Sequence, residues 1–450
     1  MRWAFACAPL DLCAHCGLIP TACAVYKQGD RHRAGTARAG TARALCRNAV
    51  TPSPVCVPAR MSILTGQYPS EIGVWWDRDT GGRALDHLTY RFADAGYQTA
   101  TFGKQDYSSP NPAFQEETEG TLSRAVHYFH YAEQYDEGKY DVVKYPPEPY
   151  AWIFGGWFPE PASKTAEAMI VREAIDWLER CDEGRPFLLR VSFNGPHTPV
   201  VPPEPFDRLI DPGAISLPPA AEGPAEGAPE CVAQSLSSVA DSERLTAEQI
   251  RKMRAYYYGE VAFLDRQFGL LLDYVRDCGL LDETIFAFVS DHGTHLGDYG
   301  LVQKQTFYEP VVCVPMMFRV PGGAAGARLD TAVETRSLLP TVLELAGLPC
   351  GDGSLAPSLA GSIVDGCEPE ARPVFSELTL GSFDMRPDDR LVMVRRGQWK
   401  LSICLDVEGR DGALHNLDDD PAERVNLYGR GQYARVQREL AALIEAHVQA

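Results

Sequence analysis

Pro54-Val55-Cys56-Val57-Pro58-Ala59-Arg60-Met61-Ser62-Ile63-Leu64-Thr65-Gly66 decides how the rest of this 450-residue chain is read. Pro54 and Pro58 fix the backbone on both sides of Cys56, and Met61, Ile63 and Leu64 form the first buried turn of a helix that begins there. Cys56 then lies at a helix N-terminus, where free N–H groups and the positive end of the dipole favour a thiolate or an anionic substrate. Arg60, one turn later, adds a fixed cation. Free cysteines are more often inert buried residues, so the reading needs support from elsewhere in the chain.

Support lies downstream, at the ends of strands. Residues 88–95 have helical spacing, Gly96 stops them, and Tyr97-Gln-Thr-Ala-Thr-Phe102 alternates as a strand before Gly103-Lys104. Open α/β sheets place ligand-contacting groups at such strand ends, although an exposed lysine is ordinarily just solvated. An amphipathic helix over 163–180 precedes a buried strand over 186–193, which ends in Asn194-Gly195-Pro196-His197-Thr198-Pro199. His197 either caps that turn or faces a ligand. A long helix over 246–278 leads to the near-continuous apolar run 284–290, and that strand delivers Asp291-His292-Gly293. A carboxylate and an imidazole at a sharp turn suit a hard cation, while Asp and Gly are also simply good turn formers.

Taken together these stretches resemble the sulfatase family. Cys56-x-Pro58-x-Arg60 with Thr65-Gly66 resembles its first signature, Gly96-Tyr97-x-Thr99 to Gly103-Lys104 its second, and Asp291-His292-Gly293 with the trailing Lys304 its metal strand. The resemblance runs from Asn48 to the C-terminus. It implies a three-layer α/β/α sandwich with a mostly parallel central sheet, as in the alkaline phosphatase superfamily, and a small C-terminal antiparallel sheet. It also implies that Cys56 is oxidised to formylglycine by a formylglycine-generating enzyme. One hydroxyl of the hydrate attacks the sulfur of a small-molecule sulfate ester, and the other later expels sulfate. A divalent metal, calcium or else manganese or magnesium, is implied at Asp291, His292 and the modified Cys56. Arg60, Lys104 and Lys304 offset charge on the sulfuryl group, and His197 contacts or protonates the leaving oxygen. The resemblance leaves two rivals: a phosphodiester or phosphonate monoester hydrolase, and an inactive sulfatase-shaped binding protein.

Two departures from the family pattern stand out. Gln105-Asp106-Tyr107 occupies the place where many relatives have a histidine after the lysine. The paired aspartates that the family supplies from an N-terminal strand also have no counterpart, since Asp11 and Asp30 are isolated. Residues 1–47 are rich in Ala, Arg, Gly and Thr, carry the near repeat Arg-Ala-Gly-Thr-Ala, and give no element. This low-complexity segment reads as the product of a shifted reading frame or a wrongly called start, which would leave the sheet without a central strand. The remaining chain divides into a catalytic unit over 48–365 and a C-terminal α+β unit over 366–450, with a hairpin turning at Arg396-Gly397 and a last helix over 433–448.

Composition narrows the class further. With 45% hydrophobic and 23% charged residues the chain is that of a soluble globular protein, and a formal net charge of −19 disfavours a nucleic-acid partner. No apolar run spans a bilayer and 1–17 lacks signal-peptide features, so no membrane association is expected and the cytoplasm is the default compartment; a periplasmic one follows if the true N-terminus differs. The 13 cysteines are scattered, and Cys13-Ala14-His15-Cys16 has no second half at zinc-ligand spacing. Trp75 and Trp76 stand where they could stack on an aromatic or sugar leaving group, or pack as partial core.

Overall fold

The computed structural model describes residues 20–26, 43–75, 85–105, 116–117, 143–145, 152–217, 245–351, 353, 355–379, 390–405 and 412–449. Its strands are β1 (Pro20–Tyr26), β2 (Arg43–Val50), β3 (Gln98–Gly103), β4 (Glu116–Glu117), β5 (Val143–Tyr145), β6 (Trp152–Gly155), β7 (Phe187–Ser192), β8 (Thr284–Ser290), β9 (His295–Leu296), β10 (Val302–Gln303), β11 (Cys313–Arg319), β12 (Ala327–Leu329), β13 (Val333–Glu334), β14 (Val374–Thr379), β15 (Arg390–Arg396), β16 (Trp399–Cys404) and β17 (Gly412–Asn416). The helices that matter here are α1 (Cys56–Thr65), α2 (Leu88–Asp94), α3 (Ala166–Leu178), α4 (Ala247–Asp277), α5 (Leu338–Ala346) and α6 (Ala434–Gln449).

Nine strands make the central sheet, in the order β12-β2-β11-β8-β1-β7-β3-β4 with β13 also on β2. All of them point the same way except β1 and β11, each of which runs antiparallel to both neighbours. Helices cover both faces, and β8 shows how the sequence enforces this. Its Ile285, Ala287 and Val289 join α1 and α5 in one core cluster, while the alternate Phe286 and Phe288 pack against the cluster of α3 and α4.

The N-terminal reading needs correction. Sequence patterning gave no element before Asn48, yet β1 and β2 both lie in the sheet, and β1 fills the central position that was expected to be empty. Thr21 stands opposite Ser192 on one side and Val289 on the other, so the facing edges of β7 and β8 are both paired. A short Pro-Thr-Ala-Cys-Ala-Val-Tyr run has no alternating pattern of its own; the two partner edges supply what local propensity does not. It also contains no carboxylate. Asp11 and Asp30 lie outside the described residues.

The C-terminal part is an antiparallel sheet in the order β14-β15-β16-β17, with α6 packed on it through Leu440 and Ile444 against Val392, Val394, Leu401 and Ile403. Gly397 takes φ 60° at the β15–β16 turn, the left-handed conformation that such a turn requires. Lys400 of β16 is buried between Glu309, at 2.8 Å, and Glu423, at 2.7 Å, and so ties this sheet to the short helix Glu309–Val312 ahead of β11. Among the described residues no helix is long and apolar enough to cross a membrane.

Candidate active site

Cys56 is the first residue of α1, and every residue of that helix is buried. No side chain caps its N-terminus. The charge complement comes instead from three strand ends that meet there. Lys304 Nζ donates to Cys56 Sγ at 2.9 Å, Lys104 Nζ donates to it at 3.5 Å, and His292 Nε2 lies 3.1 Å from it. His197 faces the same sulfur and interacts with it. Burial opposes ionisation of the thiol, but Lys104, Lys304 and His292 together outweigh it and hold Cys56 well below the ordinary cysteine range. This position is built to hold negative charge.

The strand ends are fixed by close backbone packing. Lys104 N–H donates to Ser192 O at 2.9 Å, and Gly103 takes φ 96° so closely against β7 that an added β-carbon would sit 2.0 Å from Ser192 O. Gly103→Ala is therefore expected to cost at least about 2 kcal/mol in denaturant unfolding and to displace Lys104. A loss below about 0.5 kcal/mol would show that β3 and β7 separate easily.

Arg60 supports Asp291. Its Nε donates to Asp291 Oδ2 at 2.6 Å and its Nη1 to Ser192 Oγ at 2.7 Å, with both members of the ion pair buried. Burial works against the Asp291 carboxylate, and Arg60, then His292, overcome it and hold its pKa below the usual value. Thr51 Oγ1 donates to the Asp291 carbonyl, and Gly293 N–H donates to Val311 O at 2.7 Å, which fixes the turn. His292 Nδ1 lies 2.8 Å from Gly293 O; donation there leaves Nε2 as the acceptor turned toward Cys56.

His197 sits in the turn after β7, where Gly195-Pro196 and Thr198-Pro199 are both cis. Its Nδ1 lies 2.7 Å from Thr198 O. Burial, then Lys304, pushes its pKa below the ordinary histidine value, so the ring is neutral at pH 7. A pocket opens beside this group, walled by Pro196, His197, Tyr257, His292, Leu296 and Lys304 among others. Trp75 is not among its lining residues, and Trp76 lies outside the described residues.

The structure thus brings Cys56, Lys104, His197, His292 and Lys304 together around one sulfur, with Arg60 and Asp291 one step behind. Sequence reading missed Ser192 and Thr51, which hold Arg60 and Asp291; their only signal was position, at a strand end and just before the Cys56 stretch. Cys56, Asp291 and His292 present ligand atoms within 4.8 Å of one another, a set able to hold a metal ion.

Comparison with known proteins gives the same answer from another side. The family model described as Sulfatase matches residues 34–348, and the model described as N-sulphoglucosamine sulphohydrolase, C-terminal, matches 297–450. A choline-sulfatase from Rhizobium meliloti is 30% identical over 412 residues, covering 84% of this chain and 74% of its own. An arylsulfatase from Clostridium perfringens is 26% identical over 421 residues, covering 86% and 83%. Among solved structures, BT4656 in complex with its substrate D-glucosamine-2-N,6-O-disulfate superposes with a TM-score of 0.74 at 19% identity, covering 91% of each chain. The phosphonate monoester hydrolase of Agrobacterium radiobacter superposes with a TM-score of 0.75 at 22% identity, covering 90% and 88%. At such identities these two speak for the fold. The family models and the choline-sulfatase speak for descent, and on them the chain belongs to the sulfatase family of sulfuric ester hydrolases, within the alkaline phosphatase superfamily.

Proposed function

We propose that this chain hydrolyses a small-molecule sulfate ester at Cys56 after that residue has been oxidised to formylglycine by a formylglycine-generating enzyme. The observation that carries the reading is the convergence of Lys304 and Lys104 on Cys56 Sγ, with His292 Nε2 beside them, which places two ammonium groups suited to a sulfuryl anion around one atom. Oxidised to formylglycine, Cys56 supplies the oxygen nucleophile. Lys104 and Lys304 bind the anionic end of the ester and offset the charge that grows on it. Arg60 acts through Asp291, which it holds ionised. His197, neutral at pH 7, contacts the leaving oxygen rather than donating a proton to it.

A divalent cation belongs to this reading, and the donors fit one. His292 donates Nδ1–H to a backbone carbonyl and so presents a bare Nε2, the arrangement a metal-binding imidazole needs. Asp291, His292 and the modified Cys56 would hold the ion, calcium or else manganese or magnesium, and it would polarise the ester oxygens. With a single carboxylate among the described residues, the site leaves most of a hard cation's coordination to water and substrate. Calcium titration followed by calorimetry is expected to give weak binding, about 0.1–1 mM. Submicromolar binding would mean that further carboxylates reach the ion.

The decisive experiment is a substrate panel run on metal-loaded protein whose Cys56 has been checked by peptide mass spectrometry. Protein made in a host with a formylglycine-generating activity is expected to carry the aldehyde and to turn over an aryl sulfate faster than an aryl phosphodiester. The reverse preference selects the phosphonate monoester hydrolase alternative. Only unmodified cysteine under those conditions removes the formylglycine mechanism. One observation favours the inactive alternative: β1, at the centre of the sheet, carries no carboxylate where the family supplies two. An aldehyde present with no turnover of any ester decides for it. We assign the chemistry to a unit over 48–365, with 366–450 as a separate C-terminal unit.

A further inference from the structure

The turn that carries His197 is gripped from two helices by carboxyl groups that have no part in the chemistry described above. Gly195 N–H donates to Glu167 Oε1 at 3.1 Å, and Val201 N–H donates to Glu260 Oε2 at 3.0 Å. Glu167 belongs to the first turn of α3 and Glu260 to the middle of α4, and both are buried. The two amide bonds stand on either side of His197 in the chain. Both side chains also crowd the same point beneath it, since a β-carbon on Gly195 would lie 2.7 Å from Glu260 Oε1 and 3.3 Å from Glu167 Oε1.

Neither carboxyl has an ion-pair partner among the described residues, and no other titratable group acts on them: Glu260 is influenced by the charge of Glu167, and Glu167 by burial and its amide donors alone. Burial, and then the neighbouring carboxylate, hold Glu260 well above the usual range, and burial raises Glu167 as well. Two carboxylates in one buried place cannot both be ionised without a cation between them. A single proton resolves the conflict. The pair then keeps one negative charge, which accepts strongly from the two backbone amides, without the repulsion that a second charge would bring.

We propose that Glu167 and Glu260 share one proton and thereby position His197 against Cys56. They are positioning residues, and the value of that position rests on the hydrolase reading above. The sign of the pH dependence follows from the raised carboxyl values. The proton is held fully below the ordinary carboxyl pKa, and the stabilisation it gives is lost as pH climbs through the raised folded-state value. The second charge then pushes the side chains apart and frees Gly195 and Val201.

Glu260→Gln tests this, because an amide keeps the shape, accepts from Val201 through its oxygen, and cannot lose the proton. Infrared spectra at pH 7 are expected to show a protonated carboxyl band in the wild type that is missing in Glu260→Gln. With 4-nitrophenyl sulfate, Glu260→Gln should keep kcat within about twofold and lose the alkaline limb that the pair imposes, whereas Glu260→Ala should lose about tenfold or more in kcat with little change in KM. Crystal structures should show the turn over 194–201 unmoved in Glu260→Gln and displaced in Glu260→Ala. Absence of the band in the wild type, equal impairment of both variants, or an unmoved turn in Glu260→Ala overturns the proposal. If the wild type hydrolyses no sulfate ester, the hydrolase reading fails on its own, and the band and the two turn positions still decide. The spectroscopic arm needs only wild type and Glu260→Gln, which keep the same bonds and volume.

Discussion

Replacing Cys56 by alanine is expected to remove hydrolysis of an aryl sulfate by at least about 10⁴-fold in kcat, because in the proposed mechanism the modified Cys56 supplies the reacting oxygen. The variant should still fold, since alanine fits at the start of a buried helix and the lost group is small. What it loses is the group around which the Lys104 and Lys304 ammonium groups are arranged. Those cations then favour a replacement anion. Inorganic sulfate should raise the melting temperature of Cys56→Ala more than that of the parent protein, and at about 100 times its Kd it should add about 2.7 kcal/mol. Undiminished turnover in the variant would take Cys56 out of the mechanism. Absence of any sulfate effect would take the cations out of substrate binding.

The largest effect on stability is expected from Arg60→Met. Arg60 and Asp291 are an ion pair at 2.6 Å with side-chain exposures of 2% and 0%, so removal of the cation leaves a buried carboxylate with only His292 and Lys104, among the described residues, to favour its charge. Breaking such a pair costs about 3–5 kcal/mol. The cost should depend on pH in a defined direction. In the wild type the Asp291 pKa is depressed, so the pair stabilises the fold above the ordinary carboxyl value and that contribution fades as pH falls through the depressed one. The gap between variant and wild type should therefore narrow in acid. Urea unfolding at pH 7 and near pH 3 measures both. A cost under about 1 kcal/mol at pH 7 would mean that water reaches Asp291 once the arginine is gone. Lysine in place of arginine should recover only part of the loss, because it cannot reach Asp291 and Ser192 with a fixed fork.

Strong periodicity made most of the fold legible. The apolar run 284–290 became β8 over the same residues, the long helix was expected over 246–278 and spans Ala247–Asp277, and the turn at Arg396-Gly397 lies where the hairpin signal put it. In each case the local signal and the tertiary environment ask for the same conformation. β1 and β2 were not legible, because their residues take strand form from the edges beside them rather than from any alternation of their own. At the site, Cys56, Lys104, His197, Asp291, His292 and Lys304 were legible as strand-end and helix-start residues. Their supports were not. Ser192 and Thr51 are ordinary residue types whose importance arises only when distant segments meet, and Glu167 and Glu260 look like solvated helix positions until their burial is seen. Arg60 lies in the cluster, and its guanidinium donates to Asp291 and Ser192.

The place of β1 between β7 and β8 sets a timetable for making the molecule. Among the described strands it is the seam that joins the β7-β3-β4 flank to the β8-β11-β2 flank. It is synthesised before either partner, and Pro20 must wait until Ser290 has left the ribosome before its pairing on that side can form. Until then both flanks expose strand edges, the condition in which nascent sheets stick to one another and to chaperones. A change within residues 20–26 is therefore expected to alter how many chains reach the finished state.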